Sequence, residues 1–341
     1  MSEKNASHTT DATPLHQQEL MKKSEGLKGL LTDYGIIFVF LAFCIVLAII
    51  NPYFLKPKNL INVLRQISIN GLLSIAMTFV VLTGGIDLSV GSLLAFAGVV
   101  GGSLVSTSFG QRGYVYPVWV AVLAALAACA LLGSFTGFLV SKLKVPAFVA
   151  TLGMLSIARG LTFIYTDGMP IPNINEKFLF IGQGVILGIP FPVIIFAFVF
   201  ILAWITLYKT RFGRYIYAVG GNEKSATVSG INTKLIKFSV YIISGVLCAL
   251  GGLILTARTT AGLPQAGSSY ELDALAAVVI GGTSLSGGQG DLVGTLFGAL
   301  IIGVLNNGLD LMGVSSYYQQ VFKGALIIGA VLLDSTRKRN V

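Results

Sequence analysis

VWVAVLAALAACALLGSFTGFLV, residues 118–140, carries no charged side chain across 23 positions. A helix needs roughly 20 apolar residues to cross the hydrocarbon core of a bilayer. That core offers no water to an unpaired N–H or C=O, so a run of this length has to be helical. Working outward, 34–50 is another unbroken apolar stretch, and 191–208 is a third, 18 residues long. Seven weaker stretches share the pattern of apolar sequence between short polar punctuation. The spans lie at 34–51, 63–83, 89–106, 118–140, 146–164, 191–208, 238–256, 270–284, 291–309 and 316–333. The expected fold is all-α: a polytopic membrane helix bundle of about ten spans, with short or broken helices near its centre.

Composition points the same way. Hydrophobic residues make up 54% of the chain and charged residues 11%, too few charges to coat a soluble protein of this length. The net charge of +9 does not imply nucleic acid, because the basic residues sit beside apolar spans, as topology signals do. His8 and His16 both lie in the polar N-terminal tail, 1–33, which leaves the body without imidazole for catalysis or metal binding. Cys44, Cys129 and Cys248 each fall within a span, none in a C-x-x-C pair, and read as small buried hydrophobes. The polar segment and the apolar run after it are both too long for a cleaved leader, so 34–50 is expected to be a retained anchor.

With the N-terminus placed inside, fifteen cations fall on cytoplasmic segments, including Lys142, Lys144, Lys209, Arg211, Arg214, Lys224, Lys234, Lys237 and Arg337–Arg339. Five fall outside: Lys56, Lys58, Arg112, Lys177 and Arg258. This bias predicts both termini in the cytoplasm. Arg65 and Arg159 lie near span ends and are expected to snorkel outward. Lys323, within the last span, has Asp310 as its expected partner. The eighth span has an apolar core of only 274–280 before Gly281-Gly282, which predicts a broken or protein-buried helix.

Val80-Val81-Leu82-Thr83-Gly84-Gly85 is echoed by Val278-Val279-Ile280-Gly281-Gly282-Thr283. Duplicated halves are common in transporters, but glycine-rich helix ends also arise independently, and both readings stay open. The G-x-x-x-G pairs Gly98/Gly102, Gly133/Gly137 and Gly294/Gly298 predict close helix crossings, within the chain rather than at a dimer seam. Leu285-Ser286-Gly287-Gly288-Gln289 spells the signature pentapeptide of ATP-binding-cassette ATPases. No G-x-x-x-x-G-K-[ST] accompanies it, and it joins two spans, so it reads as coincidence.

The largest loop, 209–237, holds six cations and one anion. Asn222 can cap a short helix through Ser225, Ala226 and Val228, which Gly230 would end. From the residues alone, such a helix either docks into a partner's groove or lies on anionic lipid.

The chain resembles the sugar permeases of ABC importers, of the ribose and allose type, over about 34–335. The segments that carry the resemblance are Thr83-Gly84-Gly85-Ile86-Asp87-Leu88-Ser89-Val90-Gly91-Ser92, Gly213-Arg214-Tyr215-Ile216-Tyr217-Ala218-Val219-Gly220-Gly221-Asn222 and Ser229-Gly230-Ile231-Asn232. Ser269-Tyr270-Glu271-Leu272-Asp273-Ala274, Gly281-Gly282-Thr283-Ser284-Leu285, Leu305-Asn306-Asn307-Gly308-Leu309 and Ser315-Ser316-Tyr317-Tyr318-Gln319 complete the set. Family members often have glycine where this chain has Ser269. The resemblance implies a permease subunit in the bacterial cytoplasmic membrane that moves a small sugar, ribose first and allose or similar next. It implies as partners a second permease copy, a cytoplasmic ABC ATPase and an extracytoplasmic sugar-binding protein. It further implies no catalytic residue and no cofactor in this chain, since ATP and Mg belong to the ATPase. The 209–237 loop occupies the position of the family's coupling segment, so Gly220, Asn222, Ala226 and Gly230 are expected to shape the ATPase contact, and 336–341 to form a cytoplasmic tail. Polar groups excluded by lipid should line the path: Gln66, Asn70, Asp87, Glu271, Asp273, Asn306, Asn307 and Asp310. Asp87 also suits a helix cap after its glycine pair. Lys56, Lys58, Arg112 and Arg258 are the candidate docking cations for the binding protein. The rival classes are a secondary ion-coupled transporter and an ABC permease for branched-chain amino acids.

Overall fold

The computed structural model describes residues 35–111 and 115–339. The N-terminal tail with His8 and His16, and the candidate Arg112, lie outside them. Helices follow in the order α1 (Gly35–Ile50), α2 (Pro57–Leu82), α3 (Val90–Val105), α4 (Val118–Ser141), α5 (Ala147–Thr166), α6 (Glu176–Gln183) and α7 (Phe191–Lys209). Then come α8 (Arg211–Gly221), α9 (Glu223–Val228), α10 (Thr233–Thr259), α11 (Tyr270–Ile280), α12 (Leu292–Leu311) and α13 (Ser316–Arg339). One two-stranded hairpin, Val185–Ile186 with Ile189–Pro190, interrupts the helices.

Each expected span coincides with a helix, but the number able to cross a bilayer unaided is smaller. Six helices, α2, α4, α5, α7, α10 and α12, are long and apolar enough, and α1 and α3 are apolar but shorter. Length and composition alone therefore support six of the ten expected spans among the described residues. Helix α11 is the extreme case: its 11 residues reach about 16 Å, roughly half the hydrocarbon core. Helix α2 starts six residues before the expected position because Pro57 suits the first helical turn, where its missing N–H is not needed. Helix α13 runs on to Arg339, so residues 336–339 are helical.

Helix α10 is the axis of the bundle and packs on α4, α3 and α2. Small residues permit this. A Cβ on Gly245 would meet the Cys129 carbonyl oxygen at 2.3 Å, and one on Gly252 would meet that of Leu94 at 2.1 Å. The three G-x-x-x-G pairs are filled from within the same chain: Gly98/Gly102 against α10, Gly133/Gly137 against α10, and Gly294/Gly298 against the end of α11. Cys129 and Cys248 are buried in this core.

The connections gather at two ends. At one, Gly288 N donates to Leu82 O at 3.0 Å, Thr151 Oγ1 to Ile86 O at 3.0 Å and Tyr217 Oη to Gly290 O at 3.0 Å. At the other, isolated bridges join Ser106 to Ile174 and Ile171 to Gly262, and Asn51 reaches Leu311 O at 3.1 Å.

The echoed segments share a geometry as well as a sequence. Gly84 at φ +79° and Gly282 at φ +84° occupy equivalent left-handed positions, which glycine adopts without steric penalty. The next residue reaches back to the same place in each: Gly85 N to Val80 O, and Thr283 N to Val278 O. Both turns therefore end a buried helix in the same register.

Candidate functional site

The end that contains 209–237 is built from successive caps. Thr210 accepts from Gly213 N and starts α8, Asn222 accepts from Ser225 N at 2.9 Å and starts α9, and Asn232 accepts from Leu235 N at 3.1 Å and starts α10. Each side-chain oxygen satisfies a first-turn N–H that has no partner within its own helix. The short helix expected after Asn222 is present. Ala226 is its buried residue, and Gly230, at φ +84°, follows its end.

Gly220 does something the sequence did not reveal. A Cβ there would sit 1.8 Å from the Leu82 carbonyl oxygen and 2.5 Å from Gly288 N. Three backbones meet at this point: the end of α2, the end of α8 and the Gly287-Gly288 turn before α12. The pentapeptide at 285–289 is thus a structural turn, with both glycines at positive φ. Polar side chains extend the junction. Tyr208 Oη donates to the Asp291 carboxylate and accepts from Leu292 N at 2.9 Å, while Asp291 caps α12 through Gly294 N at 2.9 Å. Burial is the main reason the Tyr217 phenol is held above its ordinary pKa. Neither Tyr208 nor Asp291 was singled out beforehand; an acidic residue before an apolar span was the available signal.

A cavity of about 740 Å³ opens at the same end, between the Thr83–Gly85 turn, the α4–α5 connection and the start of α10. None of the expected path residues lines it.

Those path residues divide into separate arrangements. Asp87 belongs to the α8–α9 end. Its Oδ1 accepts from Ser89 N and Oγ, and its Oδ2 accepts from Ser244 Oγ at 2.7 Å, tying the start of α3 to α10. Asp273 gathers Lys323 and Asn306: Lys323 Nζ lies 2.9 Å from both Asp273 carboxylate oxygens. Asn306 Nδ2 donates to the same carboxylate at 3.1 Å, while Asn306 Oδ1 is buried without a partner among the described residues. This corrects the pairing of Lys323 with Asp310. Asp310 instead accepts from Gln319 Nε2 at 2.8 Å, because α11 brings Asp273 to the inner face of α13. Asn307 exchanges reciprocal amide hydrogen bonds with Asn59, both 2.9 Å. Asn70 is buried in α2, Gln66 is half-buried one turn earlier, and Glu271 is half-buried against Gly91.

Arg159 does not snorkel. Its Nη1 donates to Pro264 O at 2.6 Å and Ala266 O at 2.8 Å, which ties α5 to the segment before α11. Arg65 Nη2 similarly reaches Gln183 O at 3.0 Å. Of the candidate docking cations, Lys56 and Lys58 are exposed and Arg258 is half-buried in the last turn of α10. Ser269 stands at φ +68°, a left-handed position that glycine adopts with less steric cost.

Six helices long and apolar enough to cross a bilayer, with shorter apolar helices packed against them, define an integral membrane protein. A family model described as "Branched-chain amino acid transport system / permease component" matches residues 59–331. The ribose import permease protein of Bacillus subtilis (strain 168) is 51% identical over 293 residues, 85% of this chain and 88% of the relative. The ribose import permease protein of Escherichia coli (strain K12) is 47% identical over 315 residues, covering 91% and 96%. The D-allose transport system permease protein of the same strain is 38% identical over 302 residues, covering 88% and 91%. No solved structure matches. The chain belongs to this permease family, alongside the ribose import permeases.

Proposed function

We propose that this chain is the membrane-spanning subunit of an ATP-driven ABC importer that carries ribose, or a closely similar small sugar, across the bacterial cytoplasmic membrane. Two copies form the pore-bearing pair, an ABC ATPase binds the α8–α9 end, and a sugar-binding protein delivers cargo at the other. The similarity to ribose and allose permeases supports sugar over branched-chain amino acids. All ten helices taken as spans cross, the short ones within a protein-lined core, and both termini face the cytoplasm. The positive-inside bias and the gathering of alternate connections at two ends support this orientation.

One observation carries the mechanism. Helices α8 and α9 are capped and compact, and the end of α8 is in backbone contact with the end of α2 and the turn before α12. A displacement imposed on α8–α9 reaches two deeply buried helices without passing through flexible side chains, so a partner can bias the pore between two arrangements. The buried acceptor Asn306 Oδ1, beside Asp273 and Lys323, suits the hydroxyl groups of a sugar. Lys56, Lys58, Arg112 and Arg258 are offered to the binding protein, where charge complementarity speeds encounter.

The test is uptake of radiolabelled ribose by proteoliposomes containing the permease, its ATPase and binding protein. Uptake should require ATP on the α8–α9 side. Gly230→Trp should leave the complex assembled and hydrolysing ATP while uptake is lost. Uptake without the ATPase, or undiminished in Gly230→Trp, would refute the reading.

A further inference from the structure

The cavity at the α8–α9 end has a chemistry that translocation does not use. Its wall includes Lys144, Lys224, Lys234 and Lys237. Glu223 is the single carboxylate among its lining residues, and Lys237 neutralises it at 2.6 Å. Pro146 and Ala147, which begin α5, also line it, and no side chain caps that helix. The first-turn N–H groups of a 20-residue helix are thus left without side-chain partners at the cavity, and the helix dipole adds positive potential. Tyr241 supplies the independent observation. It is 1% exposed, its hydroxyl has no hydrogen-bond partner among the described residues, and that hydroxyl lies 2.7 Å from where a Cβ on the cavity-lining Gly85 would stand. Buried hydroxyls are ordinarily paired, so an orphan in the wall of a polar cavity points to a missing acceptor.

We infer that this cavity binds a phosphate ester. Lysine ammonium groups, helix N–H groups and a phenol are all donors, and a phosphate ester offers several acceptor oxygens with negative charge. The volume, about 740 Å³, suits a small organic molecule and exceeds what inorganic phosphate fills. The apolar wall at Val140 and Val145, near the exposed Phe148 and Val149, accommodates the ester substituent. The ester has two possible sources, an anionic phospholipid headgroup or a soluble phosphate monoester. Occupancy bridges the α4–α5 connection to α9 and α10. Any effect on coupling rests on the function proposed above; binding itself does not.

The full chain, purified into phosphatidylcholine nanodiscs, is titrated in separate arms with phosphatidylglycerol incorporated into the discs and with soluble glycerol 3-phosphate. Binding is read by native mass spectrometry and by the shift in unfolding temperature. Saturable binding in either arm is expected; the phosphatidylglycerol arm alone identifies a headgroup, and the glycerol 3-phosphate arm a soluble ester. Lys144→Gln with Lys234→Gln should weaken it about tenfold or more, the scale of a lost charge-assisted hydrogen bond. Tyr241→Phe, which removes a hydroxyl unpartnered in the free protein and so spares the fold, should weaken it about fivefold. Lys142→Gln, in the same turn but outside the cavity wall, should change it less than about twofold. No saturable binding in either arm, equal loss with Lys142→Gln, or indifference to Tyr241→Phe overturns the inference.

Discussion

The two ends of this bundle are held together by different chemistry. Where α8 and α9 sit, main chain meets main chain: Gly220 on Leu82 O, Gly288 N to Leu82 O, and Gly287 on Gly84. At the opposite end, charged and amide side chains are added to the backbone bridges Ser106–Ile174 and Ile171–Gly262: Asn59 pairs with Asn307, Lys323 and Asn306 both pair with Asp273, and Arg159 holds the Pro264 and Ala266 carbonyls. A backbone junction without side chains has few soft torsions and transmits displacement. A set of charged and amide pairs can break and re-form with other partners. The first suits an end that is pushed; the second suits an end that opens to accept cargo.

The comparison is broken most severely at Gly220. Gly220→Leu must displace backbone atoms, and we expect a loss of about 4 kcal/mol or more, visible as failure to accumulate in the membrane. Gly221→Ala is the matched control. Nothing lies within 4 Å of a Cβ there, so the change should stay within about 0.5 kcal/mol. The opposite end should break electrostatically. Lys323→Met leaves the Asp273 carboxylate buried and unpaired, at a cost of about 3 kcal/mol in detergent unfolding. Combining it with Asp273→Leu should recover much of that loss; a double variant as unstable as the single would show that the pair is not the cause. Asn222→Ala removes the α9 cap, worth about 1 kcal/mol, and should lower uptake per ATP hydrolysed more than total stability. The smallest effect is a gain: Ser269→Gly relieves a left-handed backbone and should stabilise by about 0.5 kcal/mol, read as a higher unfolding temperature.

Much of this architecture was legible from hydropathy and punctuation. Ten helices follow the ten apolar stretches, because in lipid a backbone can only satisfy itself. The α9 cap could be read because Asn222 and Gly230 act on their own neighbours. What stayed hidden depends on contacts between segments far apart in the chain. Gly220 is indistinguishable in sequence from Gly221, yet a Cβ on one would strike two other backbones and a Cβ on the other would meet open space. Lys323 could reach either Asp310 or Asp273, and only the crossing of α11 and α13 decides. Arg159 looked like a snorkelling cation because the carbonyls that hold it belong to a loop about a hundred residues later. The cavity near Lys144 was invisible for the same reason: its walls come from four separate segments.

The claim on which the rest depends is that α9 faces the cytoplasm and meets the ATPase. It is tested most directly by a single cysteine at the exposed Ser225, with Cys44, Cys129 and Cys248 replaced, probed in cells that express the whole transporter. A membrane-impermeant maleimide should leave Ser225→Cys unlabelled in intact cells and label it once the membrane is opened, and a short cross-linker should join it to the ATPase. Labelling from outside in intact cells would contradict the account.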